Sequence, residues 1–146
     1  AELLAHLRCR EDVRPDDLGA IGFCLGGHVA FRAGFSPLVK AAACFYPTGL
    51  HDGVLGNDDA GSLARAQEIR GELLIVFGTE DPHTGKPQRT QIEASLQQAG
   101  IRFCVALGEA EHAVMRDGGP PYDPRASDDA FALATATYAR AFGRSD

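Results

Sequence analysis

The sequence predicts an α/β fold in which a parallel sheet of about four strands carries helices on both faces. Short apolar runs alternate with helical segments along the 146 residues. The run at 72–77 (ELLIVF) has the continuous apolar character of a strand buried on both faces. The chain shows no internal repeat, low-complexity stretch or linker, so we expect a single domain over residues 1–146.

The first third of the chain predicts two helices and two strands. Residues 2–9 (ELLAHLRC) favour a short amphipathic helix, and the turn residues at 14–17 follow it. The run at 18–23 (LGAIGF) predicts a buried strand, and a small-residue helix is expected over 28–34. A second buried strand is predicted at 39–45 (VKAAACF).

The middle of the chain begins with an irregular excursion. Residues 47–61 are rich in Gly, Asp and Asn, and Ser62 could cap a helix that starts near Leu63. The strand at 72–77 comes next, and a polar loop over 78–86 follows it. This loop would lie at the carboxyl end of the clearest strand.

The last third predicts two helices around a fourth strand. A helix is expected over 87–99, with proline in its first turn and glycine just past its end. Residues 103–107 predict a strand, and a long loop covers 108–125. Ser127 is the expected cap of a final helix that ends near Phe142.

Composition excludes several partners. The formal net charge is −6, and no stretch concentrates Lys and Arg, which argues against nucleic acid or an anionic membrane as a partner. No apolar run approaches the ~18 residues that a bilayer span needs. The first ten residues are amphipathic and lack the apolar core of a secretory signal, so we expect a cytoplasmic protein.

Cys24 has the setting of a catalytic nucleophile. It lies in GFCLGG, which is the nucleophile-elbow pattern G-x-S-x-G with cysteine in place of serine. Glycines two positions on either side would let strand and helix backbones approach closely. The following helix N-terminus would favour a thiolate, and the N–H of Leu25 would be placed to donate to an oxyanion. The alternative is a structural cysteine in a glycine-rich turn, as we expect for the buried, reduced thiols elsewhere in the chain.

Asp81 and His112 complete the order of an α/β-hydrolase triad. Asp81 follows the clearest strand, and His112 follows the last one. Active sites of open α/β sheets form at these carboxyl ends of strands. Each residue alone could be a solvated loop residue, but nucleophile, acid and base occur here in the expected chain order.

Other assignments of the polar residues stay open. Cys24 and His28 have i,i+4 spacing, but a metal site would lack further ligands close in sequence, and we predict none. Arg116 could bind a substrate carboxylate beside a hydrolytic site, or it could be a surface residue paired with Asp117.

Three segments resemble the dienelactone hydrolase family (carboxymethylenebutenolidases): GFCLGGHVAFRAG, VFGTEDPH and EHAVMRDGGPPYDPRASDDAF. The resemblance implies that Cys24 is the nucleophile, His112 the base and Asp81 the orienting acid. It also implies that Arg116, four positions after the histidine, helps to bind a substrate carboxylate. The implied reaction is hydrolysis of an enol-lactone or related small-molecule ester through an acyl-thioester, without metal or cofactor.

The family fold has roughly twice the strands predicted here, and it places a long segment before the elbow. We therefore expect a truncated fold, the C-terminal half of an α/β-hydrolase. The first strand would then be an exposed apolar edge, which could associate with a second copy or pair with a missing N-terminal segment. In the family, that segment supplies a second oxyanion-hole N–H and a glutamate that accepts the nucleophile's proton.

Three interpretations follow. The chain is a Cys-dependent ester or lactone hydrolase, or a catalytically impaired fragment that serves as a thiol-based binding or regulatory module, or a redox sensor that uses Cys24. The complete triad favours the first, and the short N-terminal part favours the second. A redox role needs a resolving thiol, for which Cys9 is the nearest candidate in sequence.

Overall fold

The computed structural model describes residues 2–56, 58–59 and 61–143. The helices in these ranges are α1 (Glu2–Arg8), α2 (Leu25–Ala33), α3 (Lys86–Ala99) and α4 (Pro124–Ala141), with a 3-10 helix at Leu63–Glu68. The strands are β1 (Leu18–Phe23), β2 (Val39–Phe45), β3 (Val54–Leu55), β4 (Asp58–Asp59), β5 (Glu72–Gly78) and β6 (Phe103–Gly108).

The main sheet has four parallel strands in the order β1-β2-β5-β6. The predicted α/β class and the number of strands in this sheet are therefore confirmed. The segment that we expected to be irregular contains the short antiparallel pair β3-β4, which forms a separate sheet. Because all four strands of the main sheet are parallel, their carboxyl ends meet at one edge, where ligands bind in open α/β sheets.

Helices cover both faces of the sheet, as predicted. Along β2 and β5 the side chains alternate between two apolar clusters, because successive residues of a strand point to opposite faces. Cys44 and Ile75 pack with α2 and α3 on one face, whereas Phe45 and Leu74 pack against α4 on the other. Both clusters are fully buried at their centres, which explains why these strands read as continuous apolar runs.

Tyr138 attaches α4 to the edge strand of the sheet. Its hydroxyl donates to the carbonyl of Ala20 at 2.5 Å, across 118 positions of sequence. Burial raises the pKa of Tyr138 to about 12, so the hydroxyl keeps its proton at neutral pH. A Cβ at Gly19 would lie 2.8 Å from the Tyr138 ring, so the glycine allows this close approach.

The predicted cap of the last helix is wrong, and the one predicted at Ser62 is right in position only. α4 starts at Pro124, and the carboxylate of Asp123 accepts from Arg125 N and Ala126 N, whereas Ser127 is buried inside the helix. Pro124 at the first helical position explains the early start, since its missing N–H costs nothing there. The helix after Ser62 starts at Leu63, as predicted, but it is a 3-10 helix and the Ser62 side chain makes no cap hydrogen bond.

The outer edge of β1 has no partner strand among the described residues. Ile21 and Phe23 are 49% and 38% exposed beside this edge, and Leu25 and Val29 on the following helix are about half exposed. None of the described helices is long and apolar enough to cross a bilayer.

Candidate active site

Cys24 occupies the sharp turn between β1 and α2. Its backbone has φ 56° and ψ −124°, a positive-φ conformation that is strained for a residue with a Cβ. Cys24 N donates to Phe45 O at 3.0 Å, which ties the turn to the end of β2. The predicted elbow is therefore present, and its nucleophile candidate lies at the carboxyl edge of the sheet.

The glycines around Cys24 have different roles. A Cβ at Gly22 would lie 1.9 Å from Gly26 O, and a Cβ at Gly27 would lie 2.9 Å from Phe45 O. A Cβ at Gly26 would meet nothing within 4 Å. The close approach therefore needs Gly22 and Gly27, and the expectation that Gly26 is required in the same way is wrong.

Asp81 and His112 form a hydrogen-bonded pair. His112 Nδ1 lies 2.8 Å from Asp81 Oδ2, and the Asp81 side chain is fully buried. A carboxylate accepts, so Nδ1 is the donor and Nε2 is left as the basic nitrogen. The other carboxylate oxygen, Oδ1, accepts from His83 N at 2.8 Å. This is the arrangement by which an acid orients an imidazole base.

Backbone hydrogen bonds between the loop after β5 and the loop after β6 bring Asp81 and His112 together. Glu80 N donates to Ala110 O at 3.1 Å, and Thr79 N donates to Gly108 O at 2.8 Å. A Cβ at Gly78 would lie 2.0 Å from Ala110 O, so a larger residue would push the loops apart. The parallel register of β5 and β6 thus brings residues that are 31 positions apart into contact.

Cys24 and His112, two of the three predicted triad residues, line one cavity, whereas the Asp81 side chain is buried behind His112. A cavity of about 480 Å³ is lined by Phe23, Cys24, Tyr46, His112, Ala113, Met115 and Arg116. Cys24 Sγ lies 3.9 Å from Thr48 Oγ1, and among the described residues no hydrogen bond joins it to His112. The hydrogen bond between His112 and Asp81 is therefore formed, whereas Cys24 and His112 are not hydrogen-bonded to each other.

Two aromatic side chains that the sequence analysis did not assign a role pack against His112. The Tyr46 ring lies edge-on at 5.0 Å between centroids, and the His83 ring lies edge-on at 4.5 Å. Burial raises the pKa of the Tyr46 hydroxyl, and a negative charge on Cys24 would raise it further. Tyr46 directly follows β2, so its place at the carboxyl end of a strand was the available signal.

Leu25 begins α2, and Arg116 lines the same cavity as Cys24 and His112. Leu25 is the first residue of α2, so its N–H has no acceptor within the helix. Arg116 is exposed and lines the cavity, and the structure forms no ion pair between it and Asp117. The guanidinium is therefore available to an anionic group in the cavity.

His28 belongs to a structural network. The ring is fully buried, with Nδ1 at 3.1 Å from Thr48 O and Nε2 at 2.6 Å from Ser62 Oγ. A carbonyl only accepts, so Nδ1 carries the proton and Nε2 accepts from Ser62. Burial lowers the pKa of His28, which favours this neutral ring. Among the described residues, no group of three or more metal-ligating side chains is present.

The model of the dienelactone hydrolase family matches residues 1–142. Two curated relatives carry the name "Putative carboxymethylenebutenolidase". The Saccharomyces cerevisiae protein is 39% identical over 107 residues, which are 68% of this chain and 38% of the relative. The Synechocystis protein is 29% identical over 129 residues, which are 88% of this chain and 52% of the relative.

Solved structures show the same fold. The "Putative Dienelactone Hydrolase" of Klebsiella pneumoniae superimposes with a TM-score of 0.78 at 22% identity, over 94% of this chain and 59% of that one. The Pyrococcus horikoshii acylaminoacyl peptidase gives a TM-score of 0.76 at 18% identity, over 99% of this chain and 27% of that one. The chain spans about half the length, or less, of the curated relatives that it matches.

Proposed function

This chain belongs to the dienelactone hydrolase family, and we propose that it carries the catalytic triad of a Cys-dependent hydrolase of carboxylic esters or enol-lactones. The observation that carries the proposal is the 2.8 Å bond between buried Asp81 and His112, which lines the same cavity as Cys24. An oriented imidazole beside a cysteine at a helix N-terminus is the arrangement of an activated thiol nucleophile.

In the proposed reaction, His112 Nε2 takes the Sγ proton of Cys24, and the thiolate attacks the carbonyl carbon of the ester. The N–H of Leu25 donates to the resulting oxyanion. Collapse of this intermediate breaks the C–O bond, His112 returns the proton to the departing alkoxide or enolate, and a thioester remains on Cys24. Water activated by His112 then hydrolyses the thioester and regenerates the thiol.

The cavity lining supports a small substrate with an acidic group. Phe23, Tyr46 and Met115 offer apolar surface, and the exposed Arg116 guanidinium could bind a carboxylate at the same opening. A carboxylated enol-lactone combines a flat apolar ring with a negative charge. This is the substrate class that we propose, in agreement with the names of the curated relatives.

The thioester intermediate gives a direct test. When the purified chain is mixed with p-nitrophenyl acetate and quenched in acid, we expect one acetyl group on Cys24 in a peptide mass map. Cys104 is exposed, so the expectation that it is buried is wrong, and its thiol serves as the internal control for nonspecific acetylation. Equal labelling of Cys24 and Cys104 would contradict an activated nucleophile and would favour the impaired-fragment interpretation.

We also propose that the open edge of β1 pairs with a second copy when this chain is isolated. The strand (LGAIGF) contains no charge or proline that would block such pairing. The exposed side chains of Ile21 and Phe23 continue the apolar surface beside the edge. In the longer relatives, other residues could cover the corresponding strand.

Sedimentation velocity tests this pairing. We expect a concentration-dependent dimer for the parent chain and a monomer for Ile21→Lys, because a charge beside the edge opposes association. Leu107→Lys is the matched control, since Leu107 is a 56% exposed leucine on β6, the opposite edge strand. A parent that stays monomeric at all concentrations would rule out pairing between copies.

A further inference from the structure

Arg89 is a buried cation that the proposed reaction does not use. It lies on α3 and is 8% exposed. No described carboxylate lies within ion-pair distance of it. Burying a guanidinium is costly unless its donors find acceptors, so the acceptors that it does find indicate what the residue does.

Both acceptors are backbone carbonyls around the Asp81 segment. Arg89 Nη1 donates to Thr84 O at 2.7 Å and to Gly78 O at 3.2 Å. Gly78 is the last residue of β5, and Thr84 ends the turn that carries Asp81 and His83. A single guanidinium nitrogen of Arg89 therefore links the two ends of the segment from Gly78 to Thr84.

On the side that faces α3, few other hydrogen bonds hold the segment from Gly78 to Thr84. Asp81 N donates to Gly78 O at 3.4 Å, and the Asp81 carboxylate accepts from His83 N within the turn itself. Thr84 is fully buried, yet its Oγ1 has no hydrogen-bond partner among the described residues. Arg89 is thus the polar side chain that connects the turn to the rigid helix beneath it.

We propose that Arg89 is a positioning residue, which holds the Asp81 carboxylate under His112 and thereby fixes the imidazole tautomer. This inference rests on the proposed function, because it assigns Arg89 to the support of the same acid–base pair. A planar, always charged guanidinium suits two carbonyls in fixed directions better than a flexible ammonium does. Displacement of a supporting group by about 1 Å can cost on the order of 10²-fold in rate.

Long-range ¹H–¹⁵N spectra of the histidine rings report the tautomer without any need for turnover. In the parent, at a pH that keeps the ring neutral, we expect His112 to carry its proton on Nδ1. In Arg89→Met we expect a mixture of tautomers, together with a kcat for p-nitrophenyl acetate that is about 10-fold to 10²-fold lower. Asp81→Asn gives the reference spectrum for a lost carboxylate.

Two controls separate positioning from other effects. Thr84→Val removes only the unpartnered hydroxyl and keeps the carbonyl that Arg89 binds, so the tautomer should stay fixed. Arg102→Met removes an exposed positive charge elsewhere and should also leave the tautomer unchanged. A fixed Nδ1–H tautomer in folded Arg89→Met would overturn the proposal.

Arg89→Lys keeps the charge and part of the donor set, and we expect its tautomer mixture and kcat to lie between those of the parent and Arg89→Met. If Arg89→Met does not fold, Arg89→Lys decides, and an unchanged tautomer in it rejects the positioning role. If the parent shows no esterase activity but the tautomer responds to Arg89, the positioning stands and the proposed function fails.

Discussion

Replacement of His112 by alanine is expected to slow p-nitrophenyl acetate hydrolysis by about 10³-fold or more, and Cys24→Ala is expected to do the same. The reason is that neither residue works without the other. Without the imidazole the thiol of Cys24 has no oriented base, and without the thiol the imidazole has no nucleophile to activate. Initial rates of p-nitrophenolate release measure both losses.

The double variant sharpens this test. Because base and nucleophile act as one unit, His112→Ala combined with Cys24→Ala should be no slower than either single variant. His6→Ala is the matched control, since His6 is an exposed histidine on α1. Equal rates in parent, His112→Ala and Cys24→Ala would mean that the triad is present in the fold but does not act on simple esters.

The strands were predictable because each is a run of mostly apolar or small residues, both in the buried strands β2 and β5 and in the partly exposed edge strands β1 and β6. The bounds of β1 and β2 coincide with the predicted runs, and β5 and β6 each extend by one glycine. A strand that is covered on both faces needs apolar or small side chains throughout, so its limits are visible without tertiary information. The end of α3 was also predictable, because Gly100 follows it and adopts the left-handed conformation that glycine favours at helix ends.

The missed features depend on contacts that local patterns do not specify. Two serines suggested helix caps, but Ser62 instead binds the His28 ring, 34 positions away. Ser127 lies inside α4, and the Asp-Pro signal at Asp123 would have placed that start correctly. The strands β3 and β4 have two residues each, too few for any periodicity to be seen.

The candidate site likewise has features that the sequence predicted and features that it did not. The places of Asp81 and His112 after neighbouring strands were predictable from chain order, and the structure adds the 2.8 Å bond between them. The direction of the Cys24 thiol toward Thr48, and the burial of Arg89 beneath the acid turn, could not be predicted. Both depend on side chains that approach from other elements.

The second large effect is expected at the elbow, where Gly22→Ala should lower the free energy of unfolding by more than about 4 kcal/mol, an exceptional loss for one methyl group. The new Cβ would lie 1.9 Å from Gly26 O and 2.8 Å from Gly27 N. Both atoms belong to the backbone of α2, so no side-chain rotation can relieve the clash. Urea unfolding followed by far-UV circular dichroism measures the loss.

Gly26→Ala is the matched control, because the same methyl group there meets nothing within 4 Å. In a helix, alanine is favoured over glycine by up to about 1 kcal/mol, so the stability of this variant should be equal or slightly higher. The two glycines flank Cys24 symmetrically in sequence, yet only a Cβ at Gly22 would clash with backbone atoms. Equal midpoints for the two variants would therefore show that strand and helix do not approach this closely, and the strained conformation of Cys24 would lose its structural explanation.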